Sequence, residues 1–212
     1  MTEGGEKFLS YGTEFGGGTK LVSICGNVKN PGVYEVALGT PLKEILYGEN
    51  YANGTKSGMP IQFFHLGGLS APIGFPEQID TNYCYQALME NGLSVGSGAI
   101  IVMDESVSLV DYLKHVVRFF VHESCGKCTP CRIGTTRLYE LLEKFTNGEA
   151  EQGDIEKLEY LIDNISTLAA CGLGQSVNKA IGACLKYRRN EFEALIGAKK
   201  GFAEICACGG GH

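Results

Sequence analysis

The sequence predicts an α+β protein, a small curled sheet followed by a four-helix bundle. Three observations carry that expectation. From Lys20 to about Glu105, short apolar runs alternate with glycine and proline turns, the period of strands. From Ser106 onward, apolar residues recur every three and four positions, the period of helices. The first helical stretch ends in a loop that holds three cysteines within seven residues, Cys125 to Cys131. The predicted organisation is a leader or linker over 1–19, a sheet domain over 20–105, a helical domain over 106–197 and a flexible tail over 198–212.

The first stretch is rich in glycine, including Gly16-Gly17-Gly18, and contains no G-x-x-x-x-G-K-[ST] phosphate loop, so it reads as a connector. Leu21 to Gly26 and Val33 to Val36 flank Asn30-Pro31-Gly32, which predicts a hairpin. Thr40-Pro41 ahead of Leu42, Ile45 and Leu46 predicts a short helix capped by Thr40. Gln62 to Leu66 is a third strand, ending at Gly67-Gly68. Residues 80–91 form a short helix closed by Gly92, and Ala99 to Met103 form a last buried strand. Ser108 caps a helix whose apolar face is Leu109, Leu113, Val116, Val117 and Phe120. Thr129 as cap and Pro130 as first residue open a second helix, which stops at Asn147-Gly148. Asp154 to about Leu168 is a third, and a fourth runs from after Gly174 to about Ile196.

Bulk properties narrow the function classes. With 44% hydrophobic and 20% charged residues, the composition is that of an ordinary globular chain. A net charge of −6 and the lack of a basic stripe argue against nucleic acid as partner. No apolar run reaches the roughly 18 residues a membrane span needs. The polar, acidic start Met1-Thr2-Glu3 is unlike a signal peptide. Nine cysteines in that setting point to a reducing, cytoplasmic compartment and to thiols used for metal.

The cysteines carry the chemistry. Cys125, Cys128 and Cys131, with Cys171 beyond a long gap, are spaced Cys-x2-Cys-x2-Cys-x39-Cys. A [4Fe–4S] cluster takes one thiolate per iron, and three close ligands plus one remote is a common supply. Gly126 lets the loop bend, and the N-terminus of the following helix suits a negatively charged group. Lys127, Arg132 and His122 add positive charge. The rival is structural zinc, which more often uses two separated Cys-x-x-Cys pairs. No nucleophile–base–acid set stands out.

His122 to Arg132, Cys171-Gly172-Leu173-Gly174-Gln175 and Tyr187 to Glu193 resemble one family, the NADH-binding flavoprotein subunit of respiratory complex I and its counterparts in NAD(P)-linked hydrogenases and formate dehydrogenases. Gly26 to Val36 and Gly96 to Glu105 are similar to the start and end of that family's SLBB domain, a β-grasp-like fold. The resemblance implies an electron-transfer module with Cys125, Cys128, Cys131 and Cys171 as cluster ligands. It implies partners too: a flavin- and NADH-binding domain or subunit, a thioredoxin-like [2Fe–2S] subunit and further iron–sulfur subunits. The family binds NADH and FMN in a glycine-rich domain ahead of the SLBB domain. No strand followed by a G-x-G-x-x-G turn is found here, so this chain alone is expected to bind neither. The chain is then either a C-terminal fragment or a separately encoded piece that docks on a flavin-bearing subunit, a choice left open by the sequence. Met1 and the tail, Cys206-Ala207-Cys208-Gly209-Gly210-Gly211-His212, lean slightly to the second. The tail's two thiols and imidazole lack an evident fourth zinc ligand and read as a disordered end.

The remaining candidates read as structural. Cys25, Cys84 and Cys184 fall on apolar segments and are expected as buried thiols. His65 is expected to be structural, and His122 either tunes the metal site or sits at a helix end. Glu149, Glu151, Asp154 and Glu156 read as a solvated face at a helix start.

Overall fold

The computed structural model describes residues 4–198. The sheet holds five strands: β3 (Thr19–Gly26), β4 (Gly32–Ala37), β5 (Ile61–Leu66), β6 (Ile73–Gly74) and β7 (Ala99–Asp104), in the order β4-β3-β7-β5-β6. β3 and β7 run parallel at its centre, and antiparallel hairpins flank them on both sides. This is the β-grasp arrangement. The predicted hairpin is present, with Lys20 opposite Val36 and Ser23 opposite Val33.

Strand alternation gives the sheet two different faces. Val22, Ile24, Phe64, Leu66, Ile100 and Val102 point to one side, where they form a core with α2 (Leu42–Tyr47) and α3 (Tyr85–Glu90). Phe63, Ile73 and Phe75 point the other way and join the core of the helical part. Cys25 shares the parity of Leu21 and Ser23, away from the first core, and is exposed rather than buried as expected. Cys84 and Cys184 are buried.

Local details differ from the sequence expectation, and the helix expected over 80–91 is shorter, α3 covering Tyr85–Glu90. Thr40 does not cap α2; its hydroxyl donates to the Ala37 carbonyl, and Pro41 takes the cap position. The stretch expected as a connector carries a short helix, α1 (Gly4–Leu9), and a small hairpin of β1 (Gly12–Thr13) and β2 (Gly16–Gly17). The tail residues Cys206, Cys208 and His212 lie outside the described residues.

Four long helices follow: α4 (Leu109–Glu123), α5 (Thr129–Asn147), α6 (Asp154–Leu168) and, after the short α7 (Gly172–Gln175), α8 (Val177–Glu193). α4 packs on α5, α5 on α6, α6 on α8, and α8 returns to α4, so the bundle closes. Its core includes Leu113, Val117, Leu138, Leu142, Phe145, Leu158 and Ile181. The Ser108 hydroxyl accepts the Asp111 N–H and caps α4 as predicted. Gly148, with φ 74°, ends α5 in the left-handed conformation. Asp154 departs from the expected solvated face. It is buried, accepting the Glu151 N–H at 3.0 Å and pairing with Lys157 at 2.7 Å. Burial pushes its carboxyl up, but the Lys157 and Glu151 donors outweigh that and hold it below the usual range.

One polar knot closes the end of the sheet and another fixes the sheet to the bundle. Asp104, at the end of β7, is buried and accepts from Asn27, Ser57 and Ser106. His65 is buried between Tyr112 of α4 and the Ala71 carbonyl, 2.8 Å from each. Since a carbonyl only accepts, Nε2 carries the proton and Nδ1 accepts from the Tyr112 hydroxyl. His65 is structural, as expected.

Candidate metal centre

The cysteine corner forms where α4 hands over to α5 and where α6 hands over to α7. α4 ends with Ser124 as its C-cap, held by a Ser124 N–H bond to the Phe120 carbonyl. The chain then turns at Gly126, whose φ of 75° favours glycine, and the Arg132 guanidinium donates to the Gly126 carbonyl at 3.0 Å. The same side chain therefore braces the loop and supplies positive charge.

α5 opens one residue earlier than expected. Cys128, not Thr129, is the N-cap, because its carbonyl accepts the first helical bond from Arg132 N–H at 3.0 Å. Thr129 and Pro130 are therefore the first two helical residues. The shift matters for the chemistry, because it places the Cys128 thiol at the mouth of the helix. Backbone N–H groups of Ala170 and then Cys131 point at its sulfur, with Arg132 nearby, and together they hold the thiol below its ordinary pKa. Ala170 immediately precedes Cys171, so this contact joins the three-cysteine loop to the remote cysteine.

Cys171 is the N-cap of α7. The Gln175 amide reaches back to the Ala169 carbonyl at 3.1 Å and pins the turn. Gly174 is the close-approach residue. A Cβ there would meet the Ala169 side chain head-on and stand 3.7 Å from the Cys131 sulfur. Cys131 itself is 5% exposed, in the first turn of α5. Cys125 and Cys171 are exposed and Cys128 is intermediate. His122 is exposed in the last turn of α4, a helix-end position.

The structure thus brings Cys128 and Cys131 against the 169–174 turn. Among the described residues, no three of His, Cys, Asp and Glu converge tightly enough to ligate one ion. A zinc site draws its four donors around a single centre, whereas a cube offers each thiolate a different iron and tolerates wider separation. Two thiols beside the turn that carries Cys171, and a glycine where a Cβ would collide with Ala169 and come into contact with Cys131, fit a polynuclear iron–sulfur group. Sequence reasoning missed three supporting residues. Ser124 and Gln175 show no periodic signal. Gly174 lies in a Gly-x-Gly pattern that marks bending but not which neighbour approaches.

A β-grasp sheet joined to a four-helix bundle with a cysteine-bearing corner fits an iron–sulfur-binding region. The family comparison makes this specific. Residues 111–195 match the family model of the NADH-ubiquinone oxidoreductase-F iron–sulfur binding region, a [4Fe–4S] region, and residues 21–48 match that of the SLBB domain. The chain is 34% identical to the NADP-reducing hydrogenase subunit HndC of Solidesulfovibrio fructosivorans over 206 residues, 97% of this chain and 42% of that protein. It is 35% identical to a subunit of the NADH-quinone oxidoreductase of Rhizobium meliloti (strain 1021) over 196 residues, 92% of this chain and 46% of that protein. The chain therefore spans less than half the length of these curated relatives. Among solved structures, an NAD+-reducing [NiFe]-hydrogenase in the H2-reduced state superposes with a TM-score of 0.82 at 26% identity, over 94% of this chain and 32% of that one. No helix among the described residues is long and apolar enough to cross a membrane.

Proposed function

We propose that this chain is an electron-transfer module. In this reading it holds one [4Fe–4S] cluster on Cys125, Cys128, Cys131 and Cys171 and relays electrons between an FMN centre and further iron–sulfur centres. The carrying observation is the close approach of Cys131 to Gly174, three residues past Cys171, which brings the two separated parts of the cysteine motif together. When bound, the cluster supplies one-electron chemistry. The residues of this chain hold the sulfurs, feed backbone N–H groups toward them and shield one side. Cys131 lies on the buried side, and Cys125 and Cys171 lie on the open side, where a redox partner has access.

The parent assembly is an NAD(P)H-dependent oxidoreductase complex of the complex I or NAD(P)-linked hydrogenase and formate dehydrogenase kind, located in the cytoplasm or on the cytoplasmic face of a membrane. FMN and NADH belong to another domain or to a partner subunit, and a thioredoxin-like [2Fe–2S] subunit is the expected neighbour. The relatives' names, with NADH, NADP and hydrogenase in them, support this assignment.

The test is EPR on anaerobically purified protein, before and after dithionite, with iron and zinc assayed on the same sample. A reduced [4Fe–4S] signal at about four irons per chain is expected. NADH alone should leave that signal undeveloped until a flavoprotein is added. Stoichiometric zinc with no iron and no signal would instead make the corner a redox-silent structural site.

A further inference from the structure

Ser124 stands at the start of the three-cysteine loop, and the ligand assignment above gives it no role. Its hydroxyl oxygen is 3.3 Å from the Cys131 sulfur. It also accepts the Gly126 N–H at 3.4 Å. Its own backbone is fixed as the C-cap of α4 by the bond to Phe120. The hydroxyl is thus positioned by a rigid element and does not swing freely from a loop.

The direction of the contact depends on the state of the sulfur. A neutral Cys131 thiol donates to the hydroxyl. A Cys131 thiolate can only accept, so the hydroxyl proton must turn to the sulfur. The Gly126 N–H already fills one lone pair of the oxygen, which leaves that proton free to point there. Cys131 is 5% exposed, and a hydrogen bond to charged sulfur in so dry a place is stronger than one in water.

We propose that Ser124 is a positioning residue that raises the reduction potential of the centre by donating its hydroxyl hydrogen bond to the Cys131 thiolate. The proposal rests on Cys131 being a cluster ligand. Adding an electron makes the sulfurs more negative, so a donor aimed at one of them stabilises the reduced form more than the oxidised form. Ser124 also ties that sulfur to Gly126, in the middle of the loop that carries Cys125 and Cys128.

The experiment is a potentiometric titration of the EPR signal in the full chain, comparing wild type with Ser124→Ala, Ser124→Thr and Ser124→Val. Iron per chain is assayed for each. Ser124→Ala should shift the midpoint to a more negative potential, with a reduced-to-oxidised ratio on the order of fivefold lower at the wild-type midpoint. Ser124→Thr keeps the hydroxyl and should stay near wild type. Ser124→Val matches threonine in shape but lacks the proton, and should follow alanine. Fully loaded Ala and Val variants with the wild-type midpoint would overturn the proposal and leave the ligand assignment standing. Loading that fails equally in the Thr and Val variants would also overturn it, by assigning Ser124 to packing alone. A wild-type chain that binds no iron would sink the ligand assignment itself, and the proposal with it.

Discussion

Cys184 and Cys128 are the same residue in opposite settings. Cys184 lies mid-helix in α8, fully buried among the bundle's apolar side chains, and burial, with Glu191 adding to it, pushes its thiol well above the ordinary range. Cys128 sits at the mouth of α5, where the Ala170 and Cys131 N–H groups pull its thiol down. A cysteine's chemistry is thus set by the backbone it sits on. Burial among apolar groups disfavours the charged sulfur, whereas backbone N–H groups beside an exposed helix start favour it. One thiol fills space and the other is prepared to be a thiolate.

The strongest way to break the contrast is to exchange serine for cysteine at each kind of site. Cys171→Ser, at the exposed cap of α7, should abolish the centre or leave a three-cysteine site with an open iron, read as lost or altered EPR signal and fewer irons per chain. A variant with an unchanged spectrum would remove Cys171 from the ligand set. Cys184→Ser should keep its iron and instead lose about 1–3 kcal/mol in chemical denaturation, because it buries a hydroxyl among apolar groups. Iron loss in Cys184→Ser would mean that the buried thiol is not merely packing.

Gly174→Ala sharpens the comparison by altering the corner without touching a thiol. The new methyl collides with the Ala169 side chain and comes into contact with Cys131, so a cost of about 1–3 kcal/mol and reduced iron loading are expected together. An alanine variant with full loading and unchanged stability would show that the turn has room to spare. A last contrast lies on the sheet side, where burial holds the His65 pKa at about 4, below the ordinary 6.5. Between those values the unfolded chain takes up a proton that the folded chain refuses. His65 therefore costs nothing above about pH 6.5, and stability falls as pH drops toward 4, by up to about 3 kcal/mol at the acid end. Only part of this is visible in the accessible range. Urea midpoints at about pH 7.5 and about pH 5 should differ less in His65→Gln than in wild type.

Much of this was legible in the sequence, for identifiable reasons. Strand and helix periods separate cleanly at Ser106, and the Cys-x2-Cys-x2-Cys loop is too regular to be packing. Where reading failed, three-dimensional neighbours decided the matter. Cys25 looks buried from its apolar neighbours, but alternation puts it on the face of β3 that the first core leaves uncovered. Asp154 looks solvated beside three exposed glutamates, yet it folds back onto Glu151 and Lys157. The Thr129 cap was one residue off because threonine and proline signal a helix start without saying which carbonyl accepts first. The contribution of Ala170 was beyond reach, since it offers only a backbone N–H and its partner lies 42 positions back, from 170 to 128.

The contact between Cys128 and Ala170 also bears on how the protein matures. In the proposed ligand set, three of the four thiols come from one short loop, and the fourth, Cys171, is brought up when α5 and α6 pack on each other. Inserting the cofactor and folding the helical hairpin are then the same event seen from two sides, and the free energy of one is credited to the other. A chain starved of iron would be a looser chain, and the cell's supply of iron and sulfide would decide how much of it survives to meet its partners.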